Sequence, residues 1–264
     1  MILHAVEAGH GTTIGAPLVL LHGLFGSARN FGAVQRALAA HRRVIALDLR
    51  NHGSSPHADG MRYDAMAADV LATLVEFSAT PAALLGHSMG GKVAMRAALD
   101  RPDAVSALIV ADIAPVAYPP HFRDYVATMR TLPLTPGLTR AQADAALAAA
   151  VPDPAVRGFL LQNLSSGAAP TWRLGLAEIA AGMPDIEAWP ASDGAVYTGP
   201  ALFLAGETSD YIKREHRPAI RALFPSARFV TIRNAGHWLH ADNPAGFVAV
   251  IETFLDAACA PPPQ

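Results

Sequence analysis

The chain predicts an α/β architecture: a mostly parallel sheet with helices on both faces and a helical cap. Three observations carry that expectation. Short unbroken apolar runs recur along the chain, helix-like segments alternate with them, and one long stretch near the middle loses the alternation. Apolar runs without polar interruption suit strands buried on both faces, which is the pattern of a parallel sheet covered by helices.

In chain order, residues 18–21, 44–47, 83–85, 108–110, 201–205 and 229–232 read as buried strands. Amphipathic segments at 30–40, 64–77, 90–99, 214–224 and 244–257 read as the helices between and after them. Right-handed crossovers then bring the loops at the carboxyl ends of the strands to one edge, where a site is expected. Residues 115–199 break the rhythm. Helix-like pieces at 121–132, 139–151, 154–164 and 174–183 are punctuated by Pro and Gly with no evident strand between them. An all-helical insertion between two core strands reads as a cap over the site. The expected division is therefore a core of 1–114 and 200–258, a helical cap of 115–199 and a flexible tail of 259–264.

A length of 264 residues suits one large domain with a well-buried core. With 52% hydrophobic and 16% charged residues, the chain is globular rather than disordered. A net charge of -2 without a basic stripe argues against nucleic acid as a partner. Cys259 is the single cysteine, so an internal disulfide is impossible and a reducing compartment fits. Its expected role is that of a spectator thiol in the last helix. Residues 1–15 carry neither a basic start nor an apolar signal core, and no apolar run is long enough to span a bilayer. The expectation is a cytoplasmic protein, monomer or homodimer, acting on a small molecule.

The richest stretch is Gly86-His87-Ser88-Met89-Gly90, followed by Gly91. It sits between an apolar run and a helix-like segment. Strand, glycine-flanked turn and helix with Ser at the apex form a nucleophile elbow. A side chain at Gly86 or Gly90 is expected to clash where strand and helix backbones pass close together. The helix N-terminus behind Ser88 favours developing negative charge.

Serine is a weak nucleophile unless a base takes its proton. Of 11 histidines, His237 in Asn234-Ala235-Gly236-His237-Trp238 follows the last expected strand. It completes the chain order Ser, Asp, His. His240 lies further into the next segment, and the side chain of His87 is expected to point away from the hydroxyl. Two aspartates compete for the acid. Asp112 closes the apolar run 108–111, where a charge is costly unless paired, and that favours it. Asp210 lies in Gly206-Glu207-Thr208-Ser209-Asp210 after the next strand and stays the alternative.

An oxyanion hole needs two backbone donors. Met89, directly after the nucleophile, and Leu24, in His22-Gly23-Leu24-Phe25-Gly26, are the candidates. The loop Asp48-Leu49-Arg50-Asn51-His52-Gly53-Ser54 combines Asp and His but lacks further ligands at metal spacing, so it reads as a hydrogen-bonded brace and no metal is expected. The stretch Gly86 to Gly91 lacks the ending of a phosphate loop. Phe25, Tyr118, Phe122, Tyr125 and Trp238 are candidate substrate contacts, with Met89, Met129, Trp172 and Trp189 as further pocket walls. Together they imply an apolar acyl pocket.

Five motifs occur in order: His22-Gly-Leu-Phe-Gly-Ser27, Asp48-Leu-Arg-Asn-His-Gly53, Gly86-His-Ser-Met-Gly-Gly-Lys92, Ala111-Asp-Ile-Ala-Pro-Val116 and Ala235-Gly-His-Trp-Leu-His-Ala241. By these the chain resembles the α/β-hydrolase superfamily, and within it the small YbfF-type bacterial esterases and their mitochondrial relatives. The resemblance implies the α/β-hydrolase fold and a carboxylic-ester hydrolase that needs no cofactor. It also implies Asp112 as the acid. The expected activity is hydrolysis of short to medium acyl esters or thioesters through an acyl-enzyme on Ser88. The rivals are a carbon–carbon hydrolase, a lyase or a perhydrolase using the same residues, and a non-catalytic ligand-binding relative.

Overall fold

The computed structural model describes residues 1–9, 15–192 and 194–259. The elements of the first half are β1 (Ala5–Ala8), β2 (Leu18–Leu21), α1 (Gly32–Leu38), β3 (Val44–Leu47), α2 (Tyr63–Glu76), β4 (Ala82–His87), α3 (Met89–Asp100) and β5 (Val105–Ala111). Next come α4 (Arg123–Thr131), α5 (Arg140–Leu147), α6 (Pro154–Leu160), β6 (Leu164–Ser165), β7 (Thr171–Trp172) and α7 (Leu176–Glu187). The chain closes with β8 (Ala201–Gly206), α8 (Arg217–Leu223), β9 (Ala227–Ile232), α9 (Leu239–Asp242) and α10 (Pro244–Cys259). The tail expected at 259–264 lies, beyond the backbone of Cys259, outside the described residues.

Seven strands form one sheet in the order β1-β3-β2-β4-β5-β8-β9. All neighbours are parallel except β1, which runs antiparallel to β3. Alternation along each strand divides the core in two. Val19 and Leu21 of β2 and Leu108 and Val110 of β5 pack with α2, α3 and α8. Leu18, Leu20, Ile109 and Leu204 face the other way, against α1 and α10. Helices therefore cover both faces, as the apolar runs require.

The structure adds one strand and corrects two expectations. The strand β1 gives no apolar run because it is a half-exposed edge strand, held by backbone pairing from Ala5↔Leu47 to Ala8↔Val44. The segment between β5 and β8 is not all helical. Its two-residue strands β6 and β7 pair antiparallel, and Leu138 bridges Gly167. Strands that short leave no periodicity in a sequence. The helix expected to stop at 183 also continues through Pro184 to Glu187. Three donors take up its final carbonyls: the Tyr63 hydroxyl donates to Ile186 O at 2.7 Å, the Tyr118 amide to Glu187 O at 2.9 Å, and Lys92 Nζ to Ala188 O at 2.7 Å.

Beneath the loop after β3, Arg50 Nε meets Asp69 Oδ2 at 2.6 Å, both side chains buried. The same guanidinium donates to Gly60 O at 2.8 Å. Asp69→Ala leaves this cation uncompensated, so a loss of about 3–5 kcal/mol is expected in urea unfolding; a loss under about 1 kcal/mol would contradict that account.

Candidate active site

The carboxyl edge of the sheet gathers the chemistry. Register places His87 opposite Ala111. One residue later, Ser88 and Asp112 leave the ends of adjacent strands. Ser88 has φ 52° and ψ -121°, a left-handed conformation in a non-glycine residue. The turn exists because its flanks carry no side chains: a Cβ on Gly86 would lie 2.1 Å from Gly90 O, and one on Gly90 would lie 2.3 Å from Leu21 O. Ser88 is bound to the sheet edge by its amide, which donates to Ala111 O at 2.9 Å.

His237 arrives from the loop after β9. Its Nε2 lies 3.0 Å from Ser88 Oγ and its Nδ1 lies 2.7 Å from Asp112 Oδ2. The carboxylate accepts only, so Nδ1 carries the proton and Nε2 is left to accept from the serine. Asp112 is fully buried. It also accepts from the Gly206 amide at 3.1 Å and from the Ser209 hydroxyl. The Tyr211 ring stacks on His237 with centroids 3.9 Å apart. Asp210, by contrast, is exposed. The carboxylate that meets His237 thus belongs to Asp112.

Four other histidines, His22, His52, His87 and His240, are buried near the relay. His22 Nε2 accepts from the Leu49 amide at 3.0 Å while Nδ1 faces Gly23 O at 2.8 Å. His52 Nε2 accepts from the Phe25 amide at 3.1 Å while Nδ1 donates to Arg50 O at 2.8 Å. Burial lowers the pKa of both, and His52 is pushed down to about 3. His87 donates from Nε2 to His237 O at 2.7 Å and not to Ser88, and burial holds it well below the ordinary imidazole range. His240 is buried beside His87 and Phe31, and burial pushes it down to about 4. Among the described residues it makes no hydrogen bond to Ser88, whose hydroxyl meets His237 instead.

The loop 22–26 turns through Phe25 at φ 62°. Its conformation is pinned from both sides: the Phe25 amide donates to His52, and its carbonyl accepts from Asn163 Nδ2 at 2.8 Å. Among the described residues the Leu24 and Met89 amides donate to no protein acceptor, and both residues line a cavity with Ser88. The loop after β3 is the brace its composition implies. Asp48 accepts from Ala28 N at 2.7 Å and Ser54 N at 2.8 Å. Among the described residues no cluster of His, Cys, Asp and Glu is arranged to hold a metal.

Two cavities meet at Ser88. The larger, about 200 Å³, is lined by Phe25, Phe122, Tyr125, Phe159, His237 and Trp238. The smaller, about 50 Å³, is lined by Leu24, Tyr63, Met89, Lys92, Tyr118 and Phe122 among others. Tyr118 thus lines only the smaller one. Met129, Trp172 and Trp189 line neither. Met129 is fully buried in the packing between α4 and its neighbours, because one helical face cannot present all its residues to a cavity. Ser209, Tyr211 and Lys92 were not anticipated. Ser209 and Tyr211 flank Asp210 in a loop that sequence marks for its acid, and Lys92 reads as an ordinary helix lysine.

Residues 16–244 match the family model described as the alpha/beta hydrolase fold. The chain therefore belongs to the α/β-hydrolase family. It is 41% identical over 247 residues to the sn-1-specific diacylglycerol lipase ABHD11 of Mus musculus, covering 90% of this chain and 80% of the relative. It is 36% identical over 245 residues to esterase YbfF of Escherichia coli, covering 91% and 93%. Among solved structures, a marine microorganism esterase superposes with a TM-score of 0.90 at 35% identity, covering 96% of this chain and 99% of the other. No helix among the described residues is long and apolar enough to cross a membrane.

The burial of His52 has a measurable consequence. His52 binds its proton near pH 6.5 when unfolded and only near 3 when folded. Between these values the unfolded chain holds more protons, so stability is fully present above 6.5 and is lost as pH falls toward 3. His52→Gln is expected to flatten the stability–pH slope by up to about 1.4 kcal/mol per unit. Urea titrations from about pH 4 to 6 check this, and parallel slopes in both proteins would refute it.

Proposed function

We propose that the protein is a carboxylic-ester hydrolase that works through an acyl-enzyme on Ser88. One observation carries this reading: the continuous relay from Ser88 Oγ to His237 Nε2 at 3.0 Å and from His237 Nδ1 to Asp112 at 2.7 Å. Relatives named esterase and lipase support the bond type. The substrates proposed are short to medium acyl esters, bound in the apolar space around Ser88. Residues 115–199 act as a cap over it, and the site of action is the cytoplasm.

His237 takes the serine proton as Oγ attacks the ester carbonyl. The Leu24 and Met89 amides hold the oxyanion, aided by the N-terminus of α3. Asp112 keeps the imidazole in the required tautomer and stabilises the imidazolium. His237 then protonates the leaving alcohol. Water activated by the same nitrogen releases the acid and frees Ser88.

Ser88→Ala is expected to abolish the acylation burst with a chromogenic aryl-ester series, while the wild type peaks at one acyl length. Turnover near the wild-type level in Ser88→Ala would overturn the assignment. Asp112→Asn should lower kcat by about 10³–10⁴-fold, as loss of the correct tautomer does in serine hydrolases of this design. Asp210→Asn is expected to stay within about threefold of wild type, and the opposite order would move the acid to Asp210.

A further inference from the structure

The smaller cavity at Ser88 contains a group that the proposed mechanism leaves unused. Lys92 is 1% exposed, yet its side chain ends in an amine. It lies one helical turn after Ser88 on α3, and its amide donates to Ser88 O at 3.2 Å. Long side chains on a helix lean toward its N-terminus, so the lysine leans toward the nucleophile end.

An ammonium has three N–H donors. One reaches Ala188 O at 2.7 Å. The rings of Tyr63 and Tyr118 lie 5.4 Å and 5.0 Å from Nζ and satisfy the charge only in part. The two phenols are already engaged: Tyr63 donates to Ile186 O, and Tyr118 accepts from Ala114 N and donates to Tyr211 O. Lys92 is thus the donor with spare capacity among these groups. Glu187 and His121 also line the space, but the Glu187 carboxylate is paired with Arg123.

The relay decides which arm of an ester enters this space. His237 must protonate the leaving alcohol, so the leaving group lies on the side of the larger cavity, which His237 and Trp238 line. The smaller cavity is lined by Ser88 and both oxyanion candidates but not by His237. Its volume of about 50 Å³ holds only a few water-sized groups.

We propose that the smaller cavity is the acyl subsite, and that Lys92 makes it selective for a short acyl arm ending in a carboxylate. This rests on the serine-esterase reading. Burial alone holds the amine down at about 7, and an incoming carboxylate restores its charged form. The specificity is therefore written into the acid half of the ester, with the alcohol half left apolar and larger.

Three esters test it by pH-stat: monomethyl succinate, its uncharged isostere methyl 4-methylpentanoate, and 3-acetoxypropanoate, which carries the carboxylate on the alcohol arm. The wild type is expected to show the highest kcat/KM for monomethyl succinate. Lys92→Met is expected to lower the succinate-to-isostere ratio at least tenfold. A purely structural role, capping α7, would lower both esters equally, and an unchanged ratio overturns the proposal. A preference for 3-acetoxypropanoate overturns it as well. Should Lys92→Met fail to fold, calorimetry on Ser88→Ala decides. Binding of monomethyl succinate is expected to weaken at least tenfold from about pH 6 to 8.5 while that of the isostere does not, and equal pH profiles overturn the proposal. Failure of the wild type to cleave any ester would sink the esterase reading, while the calorimetric result would still decide the subsite.

Discussion

At Ser88 the backbone turns from β4 into α3 through φ 52° and ψ -121°, and room for that turn exists only because three chain segments touch without side chains between them. Gly86 faces the Gly90 carbonyl, Gly90 faces the end of β2, and a Cβ on Gly91 would meet Ile113 at 2.6 Å. A strained residue persists when its surroundings over-determine it. Here β4 is buried along its whole length and α3 along most of its own. The same contacts bring the ends of β2, β4 and β5 together, and the site residues from each follow from that closeness. Loosening any of them would move the nucleophile relative to both its base and its oxyanion donors.

Around this turn the protein uses imidazole as a neutral connector. His22 and His52 each join a backbone donor to a backbone acceptor, so loops without regular structure acquire fixed geometry. Burial keeps these rings uncharged. His237 differs in one respect: its Nδ1 faces the fully buried Asp112, which accepts from Gly206 and Ser209 as well. That ring meets a carboxylate on one nitrogen and the Ser88 hydroxyl on the other, whereas His22 and His52 meet only backbone groups. That contrast separates a proton-accepting histidine from its structural relatives in the same few ångströms.

The segment between β5 and β8 is tied to the core at the point where the two cavities meet. Tyr63, Lys92 and the Tyr118 amide take three successive carbonyls at the end of α7, and Asn163 reaches the carbonyl of Phe25. Helix ends carry unsatisfied carbonyls that must find donors when buried. Their donors come from the core elements α2 and α3 and from the stretch after β5. The position of α7 and the shape of the smaller cavity are consequently set by the same hydrogen bonds.

By itself the sequence determined the parallel core, since strands buried on both faces must be unbroken apolar runs, as in β2 and β3. It also determined the elbow, because no residue but glycine fits at Gly86 and Gly90, and it marked Asp112 and His237 by their places at strand ends. It could not show β1, whose edge position leaves no apolar run, or β6 and β7, which are too short for a period. It marked the loop 206–211 for Asp210, whereas folding turned Ser209 and Tyr211 toward the site and left Asp210 in solvent. Only the tertiary structure separated the two cavities and buried Lys92. Those outcomes depend on which distant carbonyls and rings come to lie beside a side chain, and local pattern carries no record of that.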